Sequence, residues 1–174
     1  DTFVILATHD RSLRTRGIDA LVVEQGTEGI KINPQHGKMG VRASSTAEVI
    51  LEDCLVPEGN RLGDEGEGFR ETMEVLNVSR ISIAAQCVGI AQAANEAAVS
   101  YAREREAFGQ HLADFQAIQW MIADMATNIN AARLLVSRAA TLRDEGLPFV
   151  TEASMAKLFA SRVAMESADK AVQI

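Results

Sequence analysis

The chain has 174 residues, 47% of them hydrophobic, and a formal net charge of −7 from 17 basic and 24 acidic residues. This length suffices for one ordinary domain, or for one small domain and part of another. The acidic balance, without any cluster of basic and aromatic residues, argues against nucleic-acid binding. The longest run without a charged residue, 81–95, is too short to cross a bilayer, so no membrane partner is expected.

Neither the cysteines nor the histidines form a recognisable catalytic or metal-binding pattern. Cys54 and Cys87 lack CxxC spacing, so both are expected to be free thiols in a reducing compartment. His9, His36 and His111 are too far apart in sequence to show metal-ligand spacing. No metal site is therefore predicted.

The first third of the chain carries strand signals separated by glycine and by an Asn-Pro pair. The predicted strands cover residues 3–7, 20–24, 29–32 and 47–56. Because no helix separates them, the sheet must be antiparallel. So small a sheet leaves open edges, and it is expected to continue in sequence outside this chain. An amino terminus inside a strand, without a signal or transit peptide, supports that expectation.

The character of the sequence changes after Pro57, where an acidic segment with four glycines precedes a helical pattern. These glycines do not follow the order of a phosphate-binding loop. We therefore predict two domains, residues 1–58 and residues 59–174.

Three long helices are predicted in the second domain. A spacing of four and three places one apolar seam on the first helix. Its members are Phe69, Met73, Leu76, Arg80, Ile83, Cys87, Ile90, Ala94, Ala97 and Tyr101. The second helix is expected from about Phe115, with Asp114 as its N-cap, and the third from Thr151, which caps it. The fold class is thus α+β, a partial antiparallel β-domain followed by an up-down bundle of long helices.

Arg80 is the charged member of the apolar seam. An unpaired guanidinium there costs several kcal/mol, by order of magnitude, so it needs an acidic partner or the wall of a ligand cavity. A structural ion pair and a ligand contact both satisfy that need. Arg105 and Phe108 follow the end of the same helix, where composition alone predicts a solvated helix end with Gly109 as the stop.

Several segments together resemble the acyl-CoA dehydrogenases. Residues 76–81 (LNVSRI), 105–109 (REAFG) and 115–119 (FQAIQ) resemble the carboxy-terminal helical domain of that family, as do 155–160 (MAKLFA) and 171–174 (AVQI). Residues 38–48 (KMGVRASSTAE) and 52–57 (EDCLVP) resemble its β-domain. Each motif is modest alone, but the resemblance covers nearly the whole chain in order. It implies a fragment: the end of the β-domain and most of a truncated helical domain.

The resemblance implies roles for seven residues. Asn77, Val78, Ser79 and Arg80 match positions that line the acyl-CoA channel. Arg105, Phe108 and Gln116 match positions that reach the FAD of a neighbouring subunit, with the arginine on the pyrophosphate.

The chain departs from the short-chain pattern, which reads Asp-x-Gly-Arg where this chain has Asn77 and Ser79 before Arg80. In isovaleryl- and long-chain-like members the position of Ser79 holds the glutamate that removes the α-proton. A serine hydroxyl cannot be that base. Similarity to the short-chain, butyryl-like type places the glutamate beyond Ile174, so no catalytic residue is predicted within the chain and the chain alone is expected to be inactive.

The resemblance therefore implies an FAD-dependent dehydrogenase that converts a short-chain acyl-CoA into the 2-enoyl-CoA, in fatty acid β-oxidation. It implies a homotetramer, built as a dimer of dimers, that passes electrons to an electron-transfer flavoprotein. The implied location is the bacterial cytoplasm or the mitochondrial matrix. Two alternatives stay open: a non-catalytic paralogue that serves as an oligomerisation or binding module, and an acyl-CoA oxidase.

Overall fold

The structure is a computed structural model that describes residues 1–174. It contains two compact units, Asp1–Glu74 and Val75–Ile174. The unit boundary falls within the first long helix, whereas the predicted boundary after residue 58 follows the change from strands to helix. The domain boundary stays a prediction.

The first unit contains five short strands that pair in antiparallel fashion. They are β1 (Thr2–Thr8), β2 (Ile18–Glu24), β3 (Ile30–Pro34), β4 (Ala47–Leu51) and β5 (Arg61–Leu62). One sheet has the order β1-β2-β5, and β3 pairs with β4. Strand β4 ends five residues earlier than predicted, and Asp53 has a φ of 51°, which a continuing strand cannot accommodate.

A buried carboxylate joins the first strands to the glycine-rich segment. Asp19 is 9% exposed and accepts two hydrogen bonds, from His9 Nδ1 at 2.7 Å and from the Gly66 backbone N–H at 2.7 Å. The Gly66 hydrogen bond is the largest cause that holds the pKa of Asp19 below its usual value, and burial partly opposes it. The carboxylate form therefore stabilises this junction.

We expect Asp19→Asn to lower the free energy of unfolding by about 1–3 kcal/mol at neutral pH, because a charged hydrogen-bond acceptor is lost from a buried position. A carboxyl group whose folded pKa is lowered contributes stability above its unfolded pKa of about 3.9. That contribution disappears as the pH falls through the folded pKa, so the two proteins should converge in acid. Urea denaturation as a function of pH measures the difference. Asp64→Asn removes an exposed carboxylate nearby and should leave stability unchanged.

Three long helices follow, α1 (Gly68–Glu104), α2 (Gln116–Asp144) and α3 (Val150–Gln173). Between α1 and α2 lie two very short strands, β6 (Glu106–Ala107) and β7 (Gln110–His111). A small antiparallel β-region followed by long helices confirms the predicted fold class. No helix of the chain combines the length and the apolar character that a bilayer crossing requires.

The helices run up and down, as predicted. Near the start of α2, Asp124 pairs with Lys170 near the end of α3 at 3.3 Å. Toward the end of α2, Arg138 lies 3.9 Å from Glu152 at the start of α3. Such pairing requires that α2 and α3 be antiparallel. Helix α1 shares their core, which is rich in alanine: Ala84, Val88, Ala91, Ala98, Met125, Ile129, Ala132, Ala139, Ala153, Ala156, Ala160 and Val163.

Two predicted caps are wrong. Asp114 ends a short 3-10 turn, and Phe115 occupies the N-cap position of α2 without a side-chain hydrogen bond. Helix α3 starts one residue before Thr151, after Phe149, which also offers no side-chain cap. Backbone N–H groups at both starts therefore lack the side-chain acceptors that the sequence suggests.

The predicted apolar seam of α1 has the right spacing but the wrong phase. The buried positions are Ala84, Val88, Ala91, Ala98 and Ala102, one residue later than the predicted members from Ile83 onward. Small side chains face the core because they allow helices to approach closely. The larger side chains of the predicted seam face outward: Leu76 and Ile83 are 45% exposed, and Ile90 and Tyr101 are 50% exposed.

Candidate functional site

The guanidinium of Arg80 is held by two uncharged acceptors. Its Nη1 donates to Asn77 Oδ1, three residues earlier on α1, at 2.7 Å and to Ser154 Oγ on α3 at 3.3 Å. Arg80 is half-buried, and none of the ion pairs within the chain includes it. The internal ion pair of the structural alternative is therefore absent, and the positive charge is oriented without being neutralised.

Of the residues next to Arg80, Ser79 uses its hydroxyl proton in a hydrogen bond within α1, whereas Asn77 keeps free donors. Ser79 Oγ donates to the Leu76 carbonyl at 3.0 Å, which uses its hydroxyl proton within α1. Asn77 and Val78 are half-buried. The amide oxygen of Asn77 accepts from Arg80, and its NH2 group has no partner in the chain and stays free as a donor.

Arg133 repeats this arrangement on α2. It donates to Asn130 Oδ1, also three residues earlier, at 3.1 Å and to Gln92 Oε1 on α1 at 3.1 Å. Arg133 is exposed, so water solvates its charge, whereas Arg80 is half-buried. The need for a ligand or counter-ion is therefore greater at Arg80, and Arg133 offers a matched comparison.

The chain leaves α1 through a tight β-hairpin rather than a glycine stop. Strands β6 and β7 pair directly around the two residues Phe108 and Gly109, which have φ angles of 54° and 84°. Two central residues with positive φ define a type I′ turn. An aromatic residue is unusual at such a position, because its Cβ makes a positive φ unfavourable. Strain of this kind often marks ligand-binding segments.

Phe108 lies at the tip of this hairpin and is 98% exposed. One edge of its ring meets the ring of Phe115, with centroids 6.4 Å apart and planes at 82°. This edge contact lies between the hairpin tip and the residue that precedes α2. Most of the ring remains open to solvent or to a partner.

The hairpin brings the three positions predicted to contact flavin into one local assembly. The Leu112 backbone N–H donates to the Arg105 carbonyl at 2.8 Å, which closes the base of the hairpin. Gln116, next to Phe115, is the first residue of α2 and is exposed. Arg105 is exposed and takes part in no ion pair within the chain.

These groups fit the chemistry of a nucleotide cofactor. A free guanidinium can donate two parallel hydrogen bonds to phosphate oxygens, and an exposed aromatic face suits a flat ring or apolar surface. No three histidine, cysteine or acidic side chains converge in a geometry that could hold a metal ion.

Sequence reasoning missed Ser154 because its contact with Arg80 joins positions 74 residues apart. Nothing in the local sequence of α3 distinguishes this serine from other small polar residues on a helix. Its role depends on the packing of α3 against α1.

Residues 66–174 match the C-terminal domain of the acyl-CoA dehydrogenases. The chain belongs to the acyl-CoA dehydrogenase family. It is 48% identical, over its full length, to a short-chain specific acyl-CoA dehydrogenase of Clostridium acetobutylicum, and the match covers 46% of that protein. The chain therefore spans about half the length of this curated relative.

Two further relatives, one matched by sequence and one by structure, carry different names. The caffeyl-CoA reductase-Etf complex subunit CarC of Acetobacterium woodii is 47% identical over the whole chain, which covers 46% of it. The butyryl-CoA dehydrogenase of Megasphaera elsdenii superposes with a TM-score of 0.95 at 43% identity, over 99% of this chain and 45% of that one.

Proposed function

We propose that this chain forms the substrate-facing and flavin-facing walls of an FAD-dependent acyl-CoA dehydrogenase that converts a short-chain acyl-CoA into the 2-enoyl-CoA. The observation that carries the proposal is the state of Arg80. Arg80 is a half-buried cation whose partners in the chain are both neutral, so its charge and its unused donors are available to a polar or anionic ligand. We propose that the acyl-CoA supplies this ligand.

Arg80 has donors to spare for that ligand. A guanidinium carries five N–H donors, and only Nη1 is engaged within the chain, by Asn77 and Ser154. The N–H groups on Nε and Nη2 are available to oxygen atoms of the substrate. We assign Asn77, Val78 and Ser79 to the same wall, where the free NH2 group of Asn77 adds a further donor.

We assign Arg105, Phe108 and Gln116 to the FAD of a neighbouring subunit. When bound, FAD supplies the acceptor for the hydride that leaves the β-carbon of the substrate. The chain itself binds and orients the cofactor. Arg105 donates hydrogen bonds to pyrophosphate oxygens, and Phe108 packs against an apolar surface of the cofactor. The support is the free guanidinium and the exposed aromatic ring at the hairpin tip.

The group that removes the α-proton is proposed to lie outside residues 1–174. The Ser79 hydroxyl donates to its own helix, and a serine hydroxyl is not the carboxylate that the reaction needs. No carboxylate pairs with Arg80. These residues alone should therefore bind and position but not turn over substrate.

We further propose a homotetramer, a dimer of dimers, that transfers electrons to an electron-transfer flavoprotein. The outward face of α1 supports self-association, because Leu76, Ile83, Ile90 and Tyr101 form a row of half-exposed large side chains on one helix. The name of the Acetobacterium relative supports a flavoprotein partner. Two free cysteines suit a reducing compartment, such as the bacterial cytoplasm or the mitochondrial matrix.

A second candidate is the reverse reaction, reduction of a 2-enoyl-CoA. The similarity to CarC favours it, since that relative is named a reductase and is almost as similar as the dehydrogenase. The same walls serve both directions, because they bind a thioester and a flavin and do not set the direction of electron flow. The acyl-CoA oxidase alternative differs in its electron acceptor, and the non-catalytic module differs in holding no flavin.

The proposal is tested with the full-length protein, purified and titrated anaerobically with butyryl-CoA. We expect a yellow protein whose visible flavin absorbance bleaches as the flavin is reduced. A yellow protein that crotonyl-CoA reoxidises, but that butyryl-CoA does not reduce, favours the reductase. Rapid reoxidation by oxygen favours the oxidase, and a colourless oligomer contradicts the proposal.

A further inference from the structure

Ser154 occupies a position on α3 from which it contacts Arg80 on α1. Its Oγ donates to the Val150 carbonyl, one turn earlier, at 2.8 Å. A hydroxyl has one proton, so this bond leaves only lone pairs on the oxygen. Those lone pairs accept from Arg80 Nη1 at 3.3 Å. The hydroxyl is therefore locked as an acceptor for the guanidinium.

Two acceptors on one nitrogen restrict the guanidinium more than one does. Asn77 belongs to the same helix as Arg80. Its hydrogen bond therefore holds the guanidinium against α1 but does not tie it to another helix. Ser154 belongs to another helix and supplies an independent second point. Together the two hydrogen bonds set the plane of the guanidinium. They thereby fix the direction in which the N–H groups on Nε and Nη2 point.

We propose that Ser154 is a positioning residue that aims Arg80 at the acyl-CoA, an inference that rests on the proposed function of the Arg80 wall. Its chemistry suits this task, because a neutral hydroxyl orients a cation without cancelling its charge. A carboxylate at the same place would form an ion pair and remove the electrostatic attraction that a ligand needs. Because Ser154 orients Arg80, a residue of α3 influences the affinity of the site for acyl-CoA.

The test compares three substitutions of Ser154 in the full-length enzyme. Ser154→Ala removes the acceptor and should raise the KM for butyryl-CoA about threefold to tenfold, since a hydrogen bond to a charged group is lost. The kcat should change less than about twofold, because bound substrate restores the direction of Arg80. Ser154→Thr keeps the hydroxyl and the bond to residue 150, so it should retain the normal KM. Ser154→Asp should raise the KM more than Ser154→Ala.

Stability and flavin content separate this role from a general structural one. Alanine is the better helix former and Ser154 is exposed, so Ser154→Ala should unfold no more easily than the unchanged protein. Ser161→Ala is the matched control: Ser161 also donates to a carbonyl of α3, that of Leu158, but contacts no arginine. It should leave the KM unchanged.

Crystal structures of the unchanged enzyme and of Ser154→Ala, both without substrate, provide a readout that does not depend on turnover. We expect a single Arg80 conformer in the first and a rotated or multiple conformer in the second. An Arg80 side chain in the same place in both structures, or an unchanged KM for Ser154→Ala, overturns the inference. Failure of the proposed function gives a different result: butyryl-CoA does not reduce the flavin of the enzyme without substitutions. In that case the two crystal structures still decide whether Ser154 positions Arg80.

Discussion

Replacement of Arg105 by alanine is expected to weaken FAD binding by about 10-fold to 100-fold, the effect of losing a charge-assisted contact with phosphate oxygens. Arg105 is exposed and forms no ion pair or side-chain hydrogen bond within the chain, so its removal should not change the folded structure. Its backbone continues to close the hairpin through Leu112. Flavin content after dialysis and the dissociation constant of FAD measure the effect, and circular dichroism measures retained helix.

Two companion variants sharpen this prediction. Arg143→Ala removes another exposed arginine, at the opposite end of α2 and about 40 Å from the hairpin by helix rise, and should retain normal flavin content. Phe108→Asn creates an Asn-Gly turn, which favours the positive φ angles of a type I′ turn, so the hairpin should form more readily. Lower flavin affinity in this variant separates cofactor binding from folding. Full flavin retention in both Arg105→Ala and Phe108→Asn contradicts the assignment.

Replacement of Arg80 by methionine is expected to weaken acyl-CoA binding by about 10-fold to 100-fold while flavin content stays normal. Methionine keeps much of the apolar stem, so the packing of the half-buried side chain is largely preserved while the charge and the donors are lost. The variant therefore isolates the electrostatic role. Spectral titration with a substrate analogue measures binding, and anaerobic reduction by butyryl-CoA measures the rate.

Arg133→Met is the matched control for this prediction. Arg133 has the same pair of neutral acceptors, an asparagine three residues earlier and a polar side chain on another helix, but it is exposed. It should bind acyl-CoA normally. If Arg80→Met and Arg133→Met bind acyl-CoA equally well, Arg80 is only a structural link between α1 and α3.

The regular elements of the fold could be predicted from the sequence because they depend on local patterns. Alternation and turn residues located four strands, the spacing of four and three located the first two helices, and a predicted cap located the third within one residue. The phase of the seam on α1 could not be predicted in the same way. Ile83 and Ala84 are adjacent and both apolar, and which of them faces the core depends on how closely α2 and α3 approach.

The candidate site shows the same division. The motif around Arg80 predicted a residue of interest, and the structure shows this residue without a counter-ion. Its contact with Ser154 could not be predicted, because the two residues are 74 positions apart and meet only when α3 packs against α1. The hairpin after α1 was missed because its strands have two residues each and its turn places phenylalanine at a positive φ, against local preference. The pairing of β6 with β7 closes this turn despite that preference.

The central claim is that Arg80 and Arg105 carry free positive charge for two different ligands, an acyl-CoA and an FAD. A crystal structure of the full-length protein with FAD and a non-reactive thioether analogue of butyryl-CoA tests it most directly. We expect the Arg80 guanidinium to face the acyl-CoA site while Nη1 stays bound to Asn77 and Ser154. We also expect Arg105 to lie within hydrogen-bond distance, about 3 Å, of pyrophosphate oxygens of the FAD in a neighbouring subunit. An Arg80 that pairs with a carboxylate away from the substrate, and an Arg105 in open solvent, contradict the account.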